Sequence, residues 1–500
     1  MPERIINSFK KFSEKNAFHI KGSYYKYRDL EHITSGITDL LNDKINYESN
    51  IGVIASDDIY TYSALLATLL SGRAYVPINP QHPAERNRAI IKQAGVKSVL
   101  TSLTPEEATI ICGVESEIFN TQSLSPSYYN EPLTNTSEYD EETTAYILFT
   151  SGSTGIPKGV PISRKNLFAF CDAFFENAYD ISCDDRFLQM FDLTFDLSVM
   201  SYLIPLMTGS CVYTTGHSGI KYTEVYEILE EHEITFALMV PSIITALKPY
   251  FDDIRLEKLK YSLFCGEALH YETLTLWQKC VPNALVQNVY GPTEATIFCM
   301  SYNCSKDGIK APNGIVSIGK PMKDVNAIII DETNKVVKPG EKGELCLNGP
   351  QLTKEYYNLP EITAKAFVVI EEEGEKETYY KTGDICYTDE DGDFMFCGRT
   401  DQQVKVQGYR IELSEVEHFA RKLSGGLDCV AVTRVNKQGH SEIVLFIKEG
   451  EKDKNSLLTS MRNNVPQYML PSEIRLIKDF PKNSNGKTDR KELAAMASIT

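Results

Sequence analysis

The chain has 500 residues, of which 42% are hydrophobic and 24% charged, the profile of a globular protein and not of a disordered or fibrous one. At roughly 100–200 residues per domain the length predicts about two to four folding units. The net charge of −17 argues against nucleic acid as a partner, because phosphate binding needs a basic face. No run approaches the ~18 apolar residues of a membrane span, so no membrane insertion is expected.

The N-terminus, MPERIINSFKKF, is amphipathic and lacks an apolar core. No secretory leader is read there, and a cytoplasmic location is expected. The twelve cysteines are scattered through apolar runs, as at Cys211, Cys265, Cys346 and Cys429, and no C-x-x-C occurs. Even the closest pair, Cys299 and Cys304, completes no zinc-like spacing. Buried free thiols in a reducing compartment are expected.

From residue 145 the pattern alternates between strand and helix. AYILF (145–149) leads through a Gly/Ser/Thr loop into the helical RKNLFAFCDAFFENAY. RFLQMF precedes an apolar helix, DLSVMSYLIPLM, and TEVYEILEEHEIT leads into FALMV and then PSIITALKPY. YSLFCG leads into a helix ending near Val281, followed by ALVQNVYG. Apolar runs of four to six residues separated by helices predict parallel strands covered on both faces. Such sheets bind ligands beyond the carboxyl ends of their strands. After about residue 310 the pattern changes to short strands and turns, in NAIIID, GELCLNG and DEDGDFMF. Charge divides the chain again at Asp401. From there to the end, 16 Lys and Arg stand against 13 Asp and Glu, whereas the first 400 residues hold 35 against 55. The polar junction GRTDQQVKVQGYR reads as a linker.

The strongest local signal runs from Thr150 to Gly159, TSGSTGIPKG. Gly152, Gly155 and Gly159 let the backbone approach an anion closely. Thr150, Ser151, Ser153, Thr154 and Lys158 add donors aimed at the same charge. It is not a P-loop, because Pro157 and Gly159 stand where that motif has Gly and Ser or Thr. Composition alone leaves a flexible surface loop open as well.

YILFTSGSTGIPKGV resembles the phosphate loop of the adenylate-forming enzymes, which include acyl-CoA synthetases, luciferases and peptide-synthetase adenylation domains. GRAYVPINPQHPAER (72–86), NVYGPTEAT (288–296), YYKTGD (379–384), GRTDQQVKVQGYRIELSEVE (398–417) and NSNGKTDR (483–490) are similar to further family motifs and follow in the family's order. The resemblance implies an α/β fold with a large N-terminal domain (1–400) of doubly wound sheets plus a distorted β-barrel subdomain. A small mobile α+β C-terminal domain (401–500) would follow. It also implies a two-step reaction using ATP and Mg2+. A carboxylate and ATP give an acyl-adenylate and pyrophosphate, and a thiol then takes the acyl group.

Carried over by position, the resemblance gives Tyr290 as a ring for adenine, Asn288 as an amide for its exocyclic edge, Gly291 as the turn and Thr293 as a phosphate donor. Glu294 would hold Mg2+, and Asp384 the ribose hydroxyls with support from Arg399. Lys487 would be the catalytic lysine bridging carboxylate and α-phosphate, Asp401 the hinge, and Lys405 and Gly408 the face that meets a pantetheine arm. Asp196 in TFDLSV matches the aspartate that holds an amino acid's ammonium. Leu197, Met200, Leu238, Leu263, Cys265, Val289, Ile297 and Phe298 would line a pocket for a small uncharged side chain. FDLSVM with LFCGEAL resembles the D-alanine–carrier-protein ligases of lipoteichoic acid D-alanylation, although Val289 and Phe298 replace Thr-like and small residues there. No L-G-G-x-S carrier motif is present, so the thiol is expected from a separate phosphopantetheinylated carrier protein or from a small molecule. An L-amino-acid adenylation domain, an acyl-CoA synthetase and a non-catalytic nucleotide-binding scaffold are the alternatives.

Overall fold

The computed structural model describes residues 1–500 except 48, 114, 125–132, 134–139, 153–155, 178, 217–219, 306–307, 373–374, 450–453, 483–487 and 499–500. Two large sheets form its body. The nine-stranded sheet is parallel through Asn16–Ile20, Cys211–Thr214, Arg186–Gln189, Phe236–Met239, Tyr261–Phe264 and Leu285–Tyr290, with antiparallel strands at both edges. The six-stranded sheet runs Glu117–Asn120, Ser98–Thr101, Ile51–Ile54, Tyr75–Ile78, Thr144–Thr150, Lys158–Ser163. Central strands such as Phe236–Met239 and Tyr75–Ile78 are buried at every position. Their unbroken apolar runs therefore reflect cover on both faces.

The helix Asp196–Thr208 accounts for its own composition. All but one of its residues are buried, as expected of a helix apolar on every side. It packs on Arg186–Gln189 and Cys211–Thr214 of the larger sheet. From it the Tyr202 hydroxyl meets that of Tyr75, in the smaller sheet, at 3.0 Å. Gly209, with φ 82°, ends the helix in a left-handed cap. Asp196 is thereby fixed at the helix's first turn, between the two sheets.

One local expectation is corrected. The Thr150–Gly159 segment does not lead directly into a helix. It joins two antiparallel strands, Thr144–Thr150 and Lys158–Ser163, and the helix Arg164–Glu176 begins only afterwards. Pro161 disguises this strand in the sequence. The fold tolerates it because the strand lies at a sheet edge, where a missing N–H leaves no ladder position empty.

The turn-rich stretch after residue 310 forms a five-stranded antiparallel sheet from Asn326–Ile330, Gly343–Asn348, Glu375–Thr388, Phe367–Glu372 and Phe394–Arg399. The last hundred residues are α+β. A hairpin, Gln403–Val406 with Tyr409–Glu412, precedes the helix Leu413–Leu423 and a three-stranded sheet with its own core. All twelve cysteines are free, ten of them buried. No described helix is long and apolar enough to cross a membrane.

Candidate functional site

A cleft lies where the nine-stranded sheet, the five-stranded sheet and the 403–412 hairpin meet. Of the residues singled out by sequence, Thr150, Ser151, Asp196, Leu197, Cys265, Tyr290, Gly291, Thr293, Asp384, Arg399, Lys405 and Gly408 line it. They come from separate segments of the chain, most of them delivered by a strand end or a helix start.

Asp196 is 8% exposed. Burial pushes its carboxyl up to about 6, against the opposing pull of hydrogen bonds from the Thr293 hydroxyl and the Leu197 amide. No salt bridge reaches it among the described residues. Leu197 and Cys265 flank it in the wall, and burial pushes the Cys265 thiol up to about 12. Met200, Leu238, Leu263, Val289, Ile297 and Phe298 do not reach the cleft surface. They lie behind it in the continuous core that includes Leu197 and Cys265, and support its wall from that position. Thr296 and Ile297 have φ of 54° and 75°, an uncommon conformation for β-branched residues that turns the chain sharply beside Glu294.

On the adjoining wall the Tyr290 hydroxyl donates to Asp384 at 2.5 Å, and Arg399 Nη1 donates to the other Asp384 oxygen at 2.6 Å. Each carboxylate oxygen keeps a second lone pair for a hydroxyl donor. Arg399 also grips both oxygens of Asp401, at 2.7 and 2.8 Å. Asp401 thus closes the five-stranded sheet immediately before the hairpin begins at Gln403. The Lys405 ammonium lies 5.9 Å over the Tyr290 ring. The side chain of Asn288 is taken up elsewhere: its amide donates to the Val316 and Ser317 carbonyls at 3.3 and 2.9 Å, so those donors are not presented to a base in the cleft.

The phosphate-loop end is filled by the chain itself. Ser151 donates to the Arg410 carbonyl at 2.8 Å, and the Gly152 amide donates to Glu415 at 3.2 Å. A Cβ on Gly152 would stand 2.0 Å from the Ile156 carbonyl oxygen, so only glycine fits this bend. Lys158 Nζ lies 3.9 Å from Glu412. Its ammonium is held below the usual lysine range, by burial first and by Arg410 second. Ser153, Thr154, Gly155 and Lys487 lie outside the described residues.

Glu294 is fully buried. One oxygen accepts from the Tyr356 hydroxyl at 2.5 Å and the other from Arg410 Nη1 at 2.7 Å. Burial would raise its carboxyl, but Arg410 and Lys158 hold it down at about 2. A guanidinium thus occupies the place the resemblance assigns to a divalent cation. In this arrangement Glu294 does not fit Mg2+.

The site also contains residues that sequence reasoning did not single out. Arg410, Glu412 and Glu415 all stand inside a motif named above, and their charges were the available signal. Tyr468 also lines the cleft, stacked on Tyr409 at 4.1 Å, and nothing in PQYML marked it. Glu267 accepts from the Gly408 amide at 2.8 Å. Gly408, at φ 83°, packs so close to Val240 that a Cβ would lie 2.5 Å from it.

Comparison with known proteins gives a consistent picture. The model of the AMP-binding enzyme family matches residues 6–357. Zwittermicin A synthase ZmaJ of Bacillus cereus is 30% identical over 486 residues, covering 94% of this chain and 90% of that protein. Tyrocidine synthase 3 of Brevibacillus parabrevis is 30% identical over 482 residues, covering 94% of this chain but only 7% of that protein. Among solved structures, the Vibrio cholerae adenylation domain AlmE in complex with glycyl-adenosine-5'-phosphate superposes with a TM-score of 0.86, at 26% identity, over 99% of this chain and 97% of that one. Holo-PA1221, a peptide-synthetase protein containing adenylation and carrier domains bound to a vinylsulfonamide inhibitor, gives 0.85 at 24% identity, over 98% and 83%; at that identity the likeness speaks for the fold alone.

Proposed function

Since the chain belongs to the AMP-binding enzyme family, we propose that it activates a small amino acid, D-alanine first among candidates, and loads it onto a separate phosphopantetheinylated carrier protein. The observation that carries this reading is Asp196. A carboxylate buried at a cleft wall with no ion-pair partner among the described residues, and with only a minor pull from Lys405 to offset its burial, is costly unless a ligand supplies a cation. An amino acid's ammonium is such a cation, whereas a fatty acid has none. Around it Leu197 and Cys265 leave room for an uncharged group, and AlmE, whose complex holds a glycyl adenylate, supports a small one.

In the first step a carboxylate oxygen of the amino acid bonds to the α-phosphorus of ATP as the bond to the β-phosphate oxygen breaks, and pyrophosphate leaves. In the second, a thiolate sulfur attacks the acyl carbon and AMP leaves. The carboxylate is already ionised at pH 7 and needs no general base. The residues have to align two anions and offset the growing charge. Asp196 orients the amino acid. Asp384, steadied by Arg399 and Tyr290, receives the ribose hydroxyls, and the 150–158 segment receives the phosphates. Lys487 supplies positive charge at carboxylate and α-phosphate. Residues 1–400 act as the fixed body and 401–500 as the part that turns about Asp401. The arrangement with Lys405 and Gly408 in the cleft corresponds to the transfer step. An L-amino-acid adenylation domain of peptide-synthetase type is the second reading.

Amino-acid-dependent pyrophosphate exchange, screened across both enantiomers, tests the proposal. Exchange with D-alanine above all others supports it. Exchange with an L-amino acid alone selects the second reading, and exchange with none removes both.

A further inference from the structure

Two thiols stand beside the pair that the proposed function assigns to ribose. In the ladder of Glu375–Thr388 with Phe394–Arg399, Asp384 lies opposite Arg399 and Ile385 opposite Gly398, but Cys386 lies opposite Phe396. Cys397 is therefore an extra residue, and the strand bulges there. Side chains alternate between the two faces of a strand. Counted from Asp384, Cys386 is on the face that carries the Asp384–Arg399 ion pair. Counted from Arg399, Cys397 is on that face too. Facing side chains on a ladder have β-carbons about 4.5–5.5 Å apart, and a disulfide needs about 3.5–4.5 Å, so a small tightening of the bulge closes the gap. The two thiols differ in access. Cys386 is fully buried, whereas Cys397 is, with Cys183, one of only two cysteines that are not buried. The Cys397 thiol donates to nothing nearer than the Met395 carbonyl at 3.8 Å. Burial first, then Asp384 and Cys397, hold the Cys386 thiol well above its usual range, so that it does not react with an oxidant on its own.

We propose that Cys386 and Cys397 form a reversible disulfide under peroxide, and that this bond loosens the ribose site beside it. The inference rests on the adenylate-forming reading and adds redox control to it. Cys397, the accessible thiol, reacts first. Its sulfur bonds to one peroxide oxygen, the O–O bond breaks, and the departing hydroxide leaves with the thiol proton as water. The Cys386 sulfur then attacks the Cys397 sulfenic acid. The S–O bond breaks, and the hydroxide leaves with the Cys386 proton as a second water. Two thiols and one hydrogen peroxide thus give one disulfide and two waters, and excess dithiol reverses the bond by exchange. The new bond lies two residues from Asp384 on one strand and two from Arg399 on the other. Drawing the strands together there displaces Asp384 from Arg399, now at 2.6 Å, and from the Tyr290 hydroxyl, now at 2.5 Å. Those two contacts are what hold the carboxylate in place for the ribose hydroxyls.

Hydrogen peroxide treatment of the full-length protein tests this, followed by thiol blocking, trypsin digestion and mass spectrometry. Both cysteines fall in one tryptic peptide, 382–399. After peroxide that peptide should be lighter by two hydrogens and take up no blocking reagent, and dithiothreitol should restore both thiols. ATP affinity, read by calorimetry, should fall by about tenfold in the oxidised protein, the scale of one lost hydrogen bond to a charged group, and return on reduction. Cys397→Ser should bind ATP like the reduced wild type and keep that affinity under peroxide. Should the buried position tolerate it, Cys386→Ala should be equally insensitive. Cys183→Ser should respond as the wild type does, which separates this pair from the other accessible thiol. A 382–399 peptide that keeps two blockable thiols after peroxide overturns the proposal. So does an oxidised protein that binds ATP as tightly as the reduced one. Failure of the reduced protein to bind ATP would instead remove the adenylate-forming reading, and the peptide would still decide whether the pair closes.

Discussion

The two ends of the cleft differ in how their charges are met. At the phosphate-loop end the last hundred residues supply the partners: Arg410 for Glu294, Glu412 for Lys158, Glu415 for Gly152 and Arg86. At the other end Asp196 is buried with hydrogen bonds but no ion pair among the described residues. The first end is satisfied by the protein itself. The second leaves its carboxylate without an ion pair among the described residues. Burial makes the difference matter, because a lone charge in a poorly solvated site is destabilising by several kcal/mol. On the proposed function, recruitment of the amino acid and turnover of the phosphates place opposite demands on one cavity.

The largest expected effect sharpens this contrast. Lys487→Ala should lower kcat for pyrophosphate exchange on the order of 10²–10³-fold, the loss seen when one preorganised oxyanion donor is removed. Transfer from chemically made aminoacyl-adenylate to a carrier thiol should stay near the wild-type rate. Equal damage to both steps would break the two-arrangement reading.

At the second end, Asp196→Asn should weaken amino-acid activation by about a hundredfold, near the upper part of the 1.5–3 kcal/mol range for a hydrogen bond to a charged group. ATP affinity, read by calorimetry without amino acid, should be unchanged. Activation at wild-type efficiency would show that Asp196 is not the ammonium's partner.

Cys265→Ala should shift the D/L ratio toward the L enantiomer by at least about tenfold, the lower end of what one methylene-sized change in an apolar pocket achieves. An unmoved ratio in parallel exchange assays would remove the steric role.

The smallest effect is one of pH. Because burial raises the Asp196 carboxyl to about 6, its ionised form is disfavoured in the unliganded protein and predominates only above that value. Pairing an ammonium needs the ionised form, so amino-acid affinity should fall as pH drops through 6, by roughly tenfold between pH 7 and pH 5. Asp196→Asn should flatten that profile. The linkage to stability has the same origin: the cost of ionising Asp196 is absent below its unfolded pKa near 4 and fully present above about 6, so this group favours the fold less as pH rises through that window. Glu294, held at about 2, should stay ionised across the affinity window and leave that profile unchanged, whereas its depressed carboxyl contributes stability that is fully present above its unfolded pKa and is lost as pH falls toward 2.

Much of the cleft's lining was legible in the sequence, and particular residues show why. Asp196 and Tyr290 lie at the end of an apolar run or the start of a helix, where parallel sheets present their ligand-facing residues. Asn288 stands two residues before Tyr290, on the same face of the strand by alternation, yet the Val316 and Ser317 carbonyls take up its amide. Position in a motif does not reveal what a side chain bonds once a neighbouring segment supplies carbonyls. The pocket positions divided for a similar reason: Leu197 and Cys265 reach the surface, whereas Leu263 and Phe298, equally apolar, lie one layer behind.

The sequence by itself determined the alternation of strand and helix, the change of architecture near residue 310, the change of charge at Asp401 and the order of the glycine, carboxylate and lysine motifs. These are local properties, carried by periodicity, by glycine's freedom and by the sign of nearby charges. Only the tertiary structure decided that Arg410 meets Glu294 across 116 residues and Arg86 meets Glu415 across 329. A pairing of opposite charges has no sequence period. It is selected among many possible partners when packing of the hairpin against the body removes water and leaves each charge only a few neighbours to satisfy it.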